Sequence, residues 1–142
     1  MNKELNLCAV IMHSKPGYKT GKKNKIFDNL LNQNFTIDCK NKVWCTDFTY
    51  MRQPNGKSRY NCSIIDLYDR SAVASLNSDY INTDLAISTL NTALENENYP
   101  KVILHSDQRG QFTSWEFVNF CKENNITQSM SKAGCPYDNA PM

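Results

Sequence analysis

Two consecutive runs of hydrophobic and polar residues have the composition of β-strands and are separated by a polar turn. The first run, residues 43–51, is rich in β-branched and aromatic side chains, and the second covers residues 58–66. The dipeptide Asn55-Gly56 stands between them, and Asn-Gly between two such runs is a strong hairpin signal. The pattern therefore predicts an antiparallel β-hairpin.

A third strand and a helix follow. Residues 71–77 have a weaker strand pattern, and the short link from the second strand makes the third its antiparallel neighbour. Apolar residues then recur at helical spacing after Thr83, with Asp84 in the first turn. We predict a helix that begins at Thr83 and ends before Pro100.

The last part of the chain predicts two further strands around a second helix. Residues 101–105 form a short apolar run after a helix, as expected of a buried parallel strand, and residues 126–130 are predicted to be the fifth strand. Between them, Thr113 and Glu116 have the spacing of a capping box, with Thr113 as the N-cap. The helix is expected to bury Phe117, Phe120 and Cys121, and residues 131–142 are expected to form a loop.

The predicted order of elements is β-β-β-α-β-α-β. A mixed five-stranded sheet with helices on its faces, an α/β architecture, satisfies every one of these connections. In this topology the first strand lies in the middle of the sheet, because the fourth strand can pair beside it. Residues 26–35 are apolar enough to dock on the core as one or two helical turns.

Charge divides the 142-residue chain into two parts. Residues 1–25 contain six lysines and one glutamate, with proline and glycine between them, whereas residues 26–142 contain ten cationic and thirteen acidic residues. We interpret residues 1–25 as a basic linker, with a short helix over residues 2–12, and residues 26–142 as a single domain. A basic arm suggests a polyanionic partner, although such a run is also typical of a solvated linker.

Cysteine usage and hydropathy bear on the compartment. The six cysteines form no CxxC pair and are accompanied by only two histidines, so a structural zinc site is not expected. No signal peptide and no apolar run of membrane-spanning length is present. We therefore expect a cytoplasmic protein with reduced thiols.

One carboxylate, Asp47, stands at the centre of the first strand, where an unpaired buried charge is costly. An ion pair or an edge position would explain it, and so would a bound metal ion. Asp107 follows the end of the fourth strand, at the edge where α/β sheets place ligands. Two adjacent carboxylates favour a divalent cation such as Mg²⁺ or Mn²⁺. Trp44 and Tyr50 alternate with Asp47 and are expected on the opposite face, in the core.

Several blocks resemble the integrase core of bacterial insertion-sequence transposases, which are DDE enzymes related to retroviral integrases and to ribonuclease H. The resemblance covers residues 26–142, and residues 1–25 resemble the end of the helix-turn-helix region and linker that precede this core. The blocks are Trp44-Cys45-Thr46-Asp47-Phe48-Thr49-Tyr50, Ile65-Asp66-Leu67, Arg70, His105-Ser106-Asp107-Gln108, Gln111-Phe112-Thr113-Ser114, Ser129-Met130-Ser131 and Gly134-Cys135-Pro136-Tyr137-Asp138-Asn139-Ala140.

The resemblance implies a ribonuclease-H-like fold in which Asp47 and Asp107 are catalytic and hold two Mg²⁺ or Mn²⁺ ions. The family's third acid, a glutamate, would stand at position 143, so we interpret the chain as truncated before that residue, with the C-terminal helix missing. A second departure is Arg109, which stands where the family usually has glycine. If that position requires a positive φ, arginine there is strained.

The resemblance also implies phosphodiester cleavage and strand transfer in DNA transposition. It implies self-association on paired DNA ends, in a bacterial cytoplasmic protein associated with the nucleoid. An inert fragment that binds DNA or full-length transposase is the alternative, and a nuclease of the ribonuclease H type is a weaker one. Residues that are candidates for contacts with DNA phosphates are Lys15, Lys19, Lys22, Lys23, Lys25, Arg109 and Lys132.

Four other polar residues are predicted to have structural roles. Asp66 and Asp69 flank the turn after the second strand and suit turn formation and pairing with Arg70. Asp138 stands in an Asn-containing loop that favours an Asx-turn over a role as a substitute third acid. His105 is expected to orient the neighbouring loop by hydrogen bonding and not to bind metal.

Overall fold

A five-stranded sheet with β1 at its centre organises the chain. The computed structural model describes residues 24–141. The strands are β1 (Val43–Arg52), β2 (Ser58–Asp66), β3 (Ala72–Ser78), β4 (Ile103–Ser106) and β5 (Thr127–Met130). Their order in the sheet is β3-β2-β1-β4-β5, with the β1–β2 and β2–β3 pairs antiparallel and the β1–β4 and β4–β5 pairs parallel. The predicted mixed sheet is confirmed.

The hairpin between β1 and β2 has the predicted turn. The strands stay in register to the pair Arg52–Ser58, and the Gln53 amide donates to the Lys57 carbonyl at 2.8 Å. Gly56 has a φ of +82°, in the left-handed region that favours glycine. The Asn-Gly signal thus corresponds to a real constraint on the backbone.

The helices are α1 (Thr83–Asn96), α2 (Gly110–Thr113) and α3 (Trp115–Glu123), and a short 3-10 helix (Pro136–Asn139) replaces part of the predicted loop. Asn82 caps α1, because its side chain accepts the Leu85 amide at 3.0 Å. None of the helices within residues 24–141 has the length and apolarity needed to cross a membrane.

The two faces of the sheet are covered differently. On one face the main core contains Trp44, Phe48 and the apolar sides of α1 and α3, whereas Leu31, Val43, Cys45 and Leu67 form a smaller cluster. Because successive side chains of a strand point to opposite faces, Asp47 shares the face of Val43 and Cys45. The strand therefore directs Asp47 away from the helical core.

Two core predictions need correction. Trp44 is fully buried as expected, but Tyr50 is 62 % exposed. Tyr50 lies in the half of β1 that extends beyond the main core, where its ring packs edge-on against Tyr60 with the ring centroids 5.3 Å apart. In α3, Phe117 and Cys121 are buried as predicted, while Phe120 is only partly buried.

The segment predicted as one or two helical turns, residues 26–35, contains no helix. The Asn29 side chain accepts the amides of Leu31 and Asn32, and Asn32 and Gln33 have positive φ values of 47° and 63°. A right-handed helix cannot accommodate these values. The segment instead docks through buried Leu31.

The predicted N-cap of the second helix is also wrong by one residue. Ser114, not Thr113, caps α3, since its hydroxyl accepts the Phe117 amide at 3.3 Å. Thr113 is buried as the last residue of α2, and its hydroxyl donates to the Arg109 carbonyl at 3.3 Å. The short helix α2, which the sequence pattern did not predict, accounts for the shift.

Candidate metal centre

The parallel pairing of β1 and β4 sets the positions of the two candidate acids. Cys45 is the register partner of His105, so Asp47 and Asp107 each stand two residues further along neighbouring strands. Asp47 is still within the β1–β2 ladder, opposite Ser63, whereas Asp107 follows the last residue of β4. Because a spacing of two residues preserves the face of the sheet, the register favours the same side for both carboxylates.

One guanidinium contacts both carboxylates. Arg109 Nε lies 2.9 Å from Asp107 Oδ2, and Arg109 Nη1 lies 3.5 Å from Asp47 Oδ1. In addition, the Phe48 amide donates to Asp47 Oδ1 at 2.7 Å and the Arg109 amide donates to Asp107 Oδ1 at 3.0 Å. The structure thus brings Asp47 and Asp107 to one place, although sixty residues separate them in the sequence.

Arg109 itself is not strained. Its φ is −61° and its ψ is 149°, which is ordinary extended backbone, and it directly precedes α2. Gly110 is absent from the residues with positive φ in the described part of the chain. The predicted strain of arginine at a glycine position is therefore wrong, because this loop needs no left-handed residue at position 109.

Asp107 shows the electrostatic cost of this arrangement. Burial raises the pKa of its carboxyl group, and the negative charge of Asp47 raises that pKa further. The hydrogen bond from the Arg109 amide and the Arg109 charge act in the opposite direction. A carboxyl group in this state gains from any added cation, because a nearby positive charge favours the ionised form.

The two carboxylates open into a cleft of about 580 Å³. Its other wall is the turn that follows β5. Asn139 belongs to that wall, and its Oδ1 atom is a buried acceptor without a hydrogen-bond partner among the described residues. The lining residues are Asp47, Asp107, Gln108, Arg109, Ser131, Lys132, Ala133, Gly134, Cys135, Pro136 and Asn139.

The donor set fits a hard divalent cation. Two carboxylates and an unpartnered amide oxygen are the ligand types that Mg²⁺ and Mn²⁺ prefer. Within residues 24–141, no group of three or more His, Cys, Asp or Glu side chains is placed to hold a metal ion. Water molecules would complete the coordination of an ion held by these residues alone.

His105 has the structural role predicted for it. The side chain is fully buried, with Nδ1 2.9 Å from Ser129 Oγ and Nε2 2.8 Å from the Asp138 carbonyl oxygen. The carbonyl can only accept, so Nε2 carries the proton and Nδ1 accepts from the hydroxyl. Burial lowers the pKa of His105, in agreement with a neutral ring.

Asp138 is buried, and its carboxylate links two other segments. Oδ2 accepts the Lys132 amide at 3.0 Å and Oδ1 accepts the Gln33 side-chain amide at 2.9 Å. These bonds, with the Lys132 amide first, lower its pKa. The predicted structural role is supported, but the bonds join distant residues and are not the predicted Asx-turn.

The carboxylates of Asp66 and Asp69 also accept hydrogen bonds from backbone amides. The buried carboxylate of Asp66 accepts the amides of Asn41 at 2.7 Å and Tyr68 at 2.9 Å, while Asp69 accepts the Ser71 amide and hydroxyl. Arg70 donates to the Phe35 carbonyl at 3.2 Å. Its predicted side-chain pairing with these two acids is not among the ion pairs of the described residues.

The candidate DNA contacts are distributed unevenly. Arg109 and Lys132 line the cleft, whereas Lys25 lies in a separate depression beside Trp115 and Glu116, with its ammonium 5.0 Å from the Phe27 ring centroid. The other four lysines fall outside the described residues, as does the helix predicted over residues 2–12. They are Lys15, Lys19, Lys22 and Lys23.

Two cleft residues, Gln108 and Asn139, were not predicted as site residues from the sequence. Gln108 donates to the Ser131 carbonyl at 3.0 Å and so ties the loop after β4 to the end of β5. Asn139 contributes the unpartnered oxygen described above. No spacing rule marks these residues, since each owes its position to contacts between loops that are distant in sequence.

Solved structures with the same architecture define the class of fold. A chain of the simian T-cell lymphotropic virus intasome in complex with PP2A regulatory subunit B56 gamma superposes with a TM-score of 0.67 at 16% identity, over 85% of this chain and 41% of that one. The HTLV-2 integrase catalytic core domain in complex with magnesium gives 0.58 at 20% identity, over 64% and 61%. The fold is that of a ribonuclease-H-like integrase core.

Sequence comparison then gives the family. The model of the integrase core domain matches residues 38–136. Transposase InsF for insertion sequence IS3A of Escherichia coli (strain K12) is 36% identical over 116 residues, which cover 81% of this chain and 40% of that transposase. The transposase for insertion sequence element IS904 of Lactococcus lactis subsp. lactis (strain IL1403) is 35% identical over 115 residues, 80% of this chain and 45% of the relative.

The chain therefore belongs to the integrase core domain family, and the predicted resemblance to insertion-sequence transposases is confirmed. It spans less than half the length of these curated relatives.

Proposed function

We propose that this chain is the catalytic core of an insertion-sequence transposase that cleaves phosphodiester bonds and transfers DNA strands with divalent metal ions. The observation that carries the proposal is the convergence of Asp47 and Asp107 on one guanidinium, at the cleft edge of neighbouring parallel strands. The resemblance to insertion-sequence transposases implies metal-dependent chemistry on DNA at these two acids.

Asp47 and Asp107 would hold the metal, which is Mg²⁺ or Mn²⁺. Two such ions, when bound, activate the attacking oxygen and stabilise the leaving oxygen of a phosphodiester. Lys132, at the rim of the cleft, would attract a DNA phosphate. The open cleft suits an extended backbone better than an enclosed small molecule.

The proposed reaction has two balanced steps. In the first, a water oxygen forms a bond to phosphorus at the end of the element, the bond from phosphorus to the 3′ oxygen breaks, and a proton passes to solvent. In the second, the free 3′-hydroxyl attacks phosphorus in another strand and displaces the 3′ oxygen there. The number of phosphodiester bonds is unchanged by this second step, so no further energy source is needed.

DNA is the proposed partner, and self-association on paired DNA ends is part of the same proposal. The basic residues Lys15–Lys25 would add sequence-independent affinity for the backbone, because each phosphate contact releases counterions. This binding is expected to weaken steeply as the salt concentration rises.

The proposal is tested first by the metal. Mn²⁺ added to the isotope-labelled chain should broaden the amide NMR signals of residues near Asp47 and Asp107, and Asp47→Asn should abolish this broadening. Ser75→Ala, an exposed change on β3, serves as the control and should leave it intact. Broadening that is unaffected by Asp47→Asn would refute the metal site.

The second test is catalytic. Labelled duplexes that carry candidate element ends are incubated with the chain and Mn²⁺, and new 3′-hydroxyl ends are counted by primer extension. We expect cleavage that is lost in Asp47→Asn and Asp107→Asn. A chain that binds Mn²⁺ and DNA but produces no such ends in any duplex would instead be the inert transposase fragment.

A further inference from the structure

Arg109 occupies the space between the two proposed metal ligands. Its contacts with Asp107 Oδ2 at 2.9 Å and Asp47 Oδ1 at 3.5 Å are made by two nitrogens of one planar group. The three side chains are shielded to a similar degree, with exposed fractions of 37 % for Arg109, 31 % for Asp47 and 26 % for Asp107. A partly desolvated site of this kind screens charge less than open solvent does.

The guanidinium is held in this position by further contacts. Arg109 Nη1 lies 3.5 Å from the Phe48 carbonyl oxygen, and Arg109 Cζ lies 5.8 Å from the centroid of the Tyr50 ring. The second distance is within the range of cation–π attraction. Together with the unstrained backbone of Arg109, these contacts make the ion-paired arrangement a stable state of the loop.

We propose that the Arg109 guanidinium is a built-in positive charge that competes with a divalent metal ion for Asp47 and Asp107. This inference rests on the proposed function. A guanidinium and a metal ion cannot occupy the same space between two carboxylates, and their like charges repel. Metal binding at these oxygens therefore requires the Arg109 side chain to leave. The apparent affinity for metal is lowered by the stability of the arginine-paired state.

The size of the effect follows from the contacts. Each partly exposed ion pair contributes modestly, so displacing both should weaken metal binding about tenfold. Arg109→Ala should thus bind Mn²⁺ about tenfold more tightly than the unaltered chain. Arg109→Lys should fall between the two, because an ammonium keeps the charge but not the planar fork that contacts both acids.

The measurement is a titration of the full chain with Mn²⁺, followed by the electron paramagnetic resonance signal of the free ion. The matched control is Arg59→Ala, which removes the same charge and a surface ion pair with Asp79 at 3.0 Å, and which does not line the cleft. Its Mn²⁺ affinity should match that of the unaltered chain. Thermal melts in EDTA check that every variant is folded, and Arg109→Ala should gain more thermal stability from added Mn²⁺ than the unaltered chain.

A third variant separates this inference from the proposed function. Arg109→Ala combined with Asp47→Asn should lose the tight Mn²⁺ binding. If Arg109→Ala and the unaltered chain bind Mn²⁺ equally and Asp47→Asn abolishes both, the metal site stands and the competition is refuted. If Asp47→Asn changes nothing, or Arg109→Ala binds no Mn²⁺, the metal site itself fails and both proposals fall.

Discussion

The hydroxyl of Ser129 joins three segments that build the cleft, and its removal should destabilise the chain. Ser129 is fully buried; its Oγ accepts the Leu30 amide at 2.9 Å and lies 2.9 Å from His105 Nδ1. His105 in turn donates to the Asp138 carbonyl, in the 3-10 helix that also carries Asn139. Ser129→Ala breaks this chain of hydrogen bonds at its centre without changing any residue that lines the cleft.

The expected magnitude follows from the groups left without a partner. An unsatisfied buried donor or acceptor costs about 1–3 kcal/mol. His105 Nδ1 would lose its partner in a fully buried setting, whereas Leu30 is 48 % exposed, so water can replace part of the bond to its amide. We therefore expect a loss of about 2 kcal/mol in the free energy of unfolding, or about 7 °C in Tm for a domain of this size.

Urea denaturation followed by circular dichroism measures this loss. Ser75→Ala is the matched control, because it makes the same chemical change at an exposed strand position, and it should shift the unfolding midpoint by less than about 0.5 kcal/mol. Equal stability of Ser129→Ala and Ser75→Ala would show that the hydrogen-bonded chain contributes nothing, and the reasoning would be wrong.

Three further changes probe other features. Burial lowers the pKa of His105, so the unfolded chain binds this proton more readily and stability should fall as the pH drops below 6.5; His105→Gln should flatten that part of the pH profile in urea titrations. Ser114→Ala should cost about 1 kcal/mol in the same assay, because Ser114 caps α3, and no loss would restore Thr113 as the cap. Gly56→Ala should lower the free energy of unfolding by about 1 kcal/mol or more, since φ is +82° there and alanine is strained at that value. An unchanged Tm would contradict this requirement for glycine.

Local patterns in the sequence were enough to predict most of the fold. The β-branched and aromatic composition of two runs and the Asn-Gly turn predicted the hairpin, and the order of elements was enough to place β1 in the middle of the sheet. The prediction that Asp47 and Asp107 lie close together followed from that topology together with the resemblance. These features depend on backbone periodicity and connection rules, which a single sequence displays directly.

The errors concern residues whose positions are decided by distant contacts. Residues 26–35 have a helical composition, but their docking on β5 and the Asn29 hydrogen bonds favour a bent, extended path. Tyr50 lies on the same face of β1 as the buried residues Trp44 and Phe48, but the main core ends before it. Arg109 was predicted to be strained, because its local sequence did not show that the loop adopts ordinary extended backbone there.

The central position of β1 has a consequence for synthesis. β1, β2 and β3 are consecutive and can form a meander as soon as they leave the ribosome. Among the residues that the structure describes, the other edge of β1 is paired by β4 alone, at Val43–Cys45, and β4 ends at Ser106. Until then, a nascent chain presents the backbone amides and carbonyls of Val43–Cys45 without partners, and an unpaired edge of this kind can recruit other chains. The pairing of β1 with β4, which brings the two aspartates together, therefore forms after the pairing of β1 with β2. Slow translation before residue 106 would lengthen the period in which the chain is prone to aggregate.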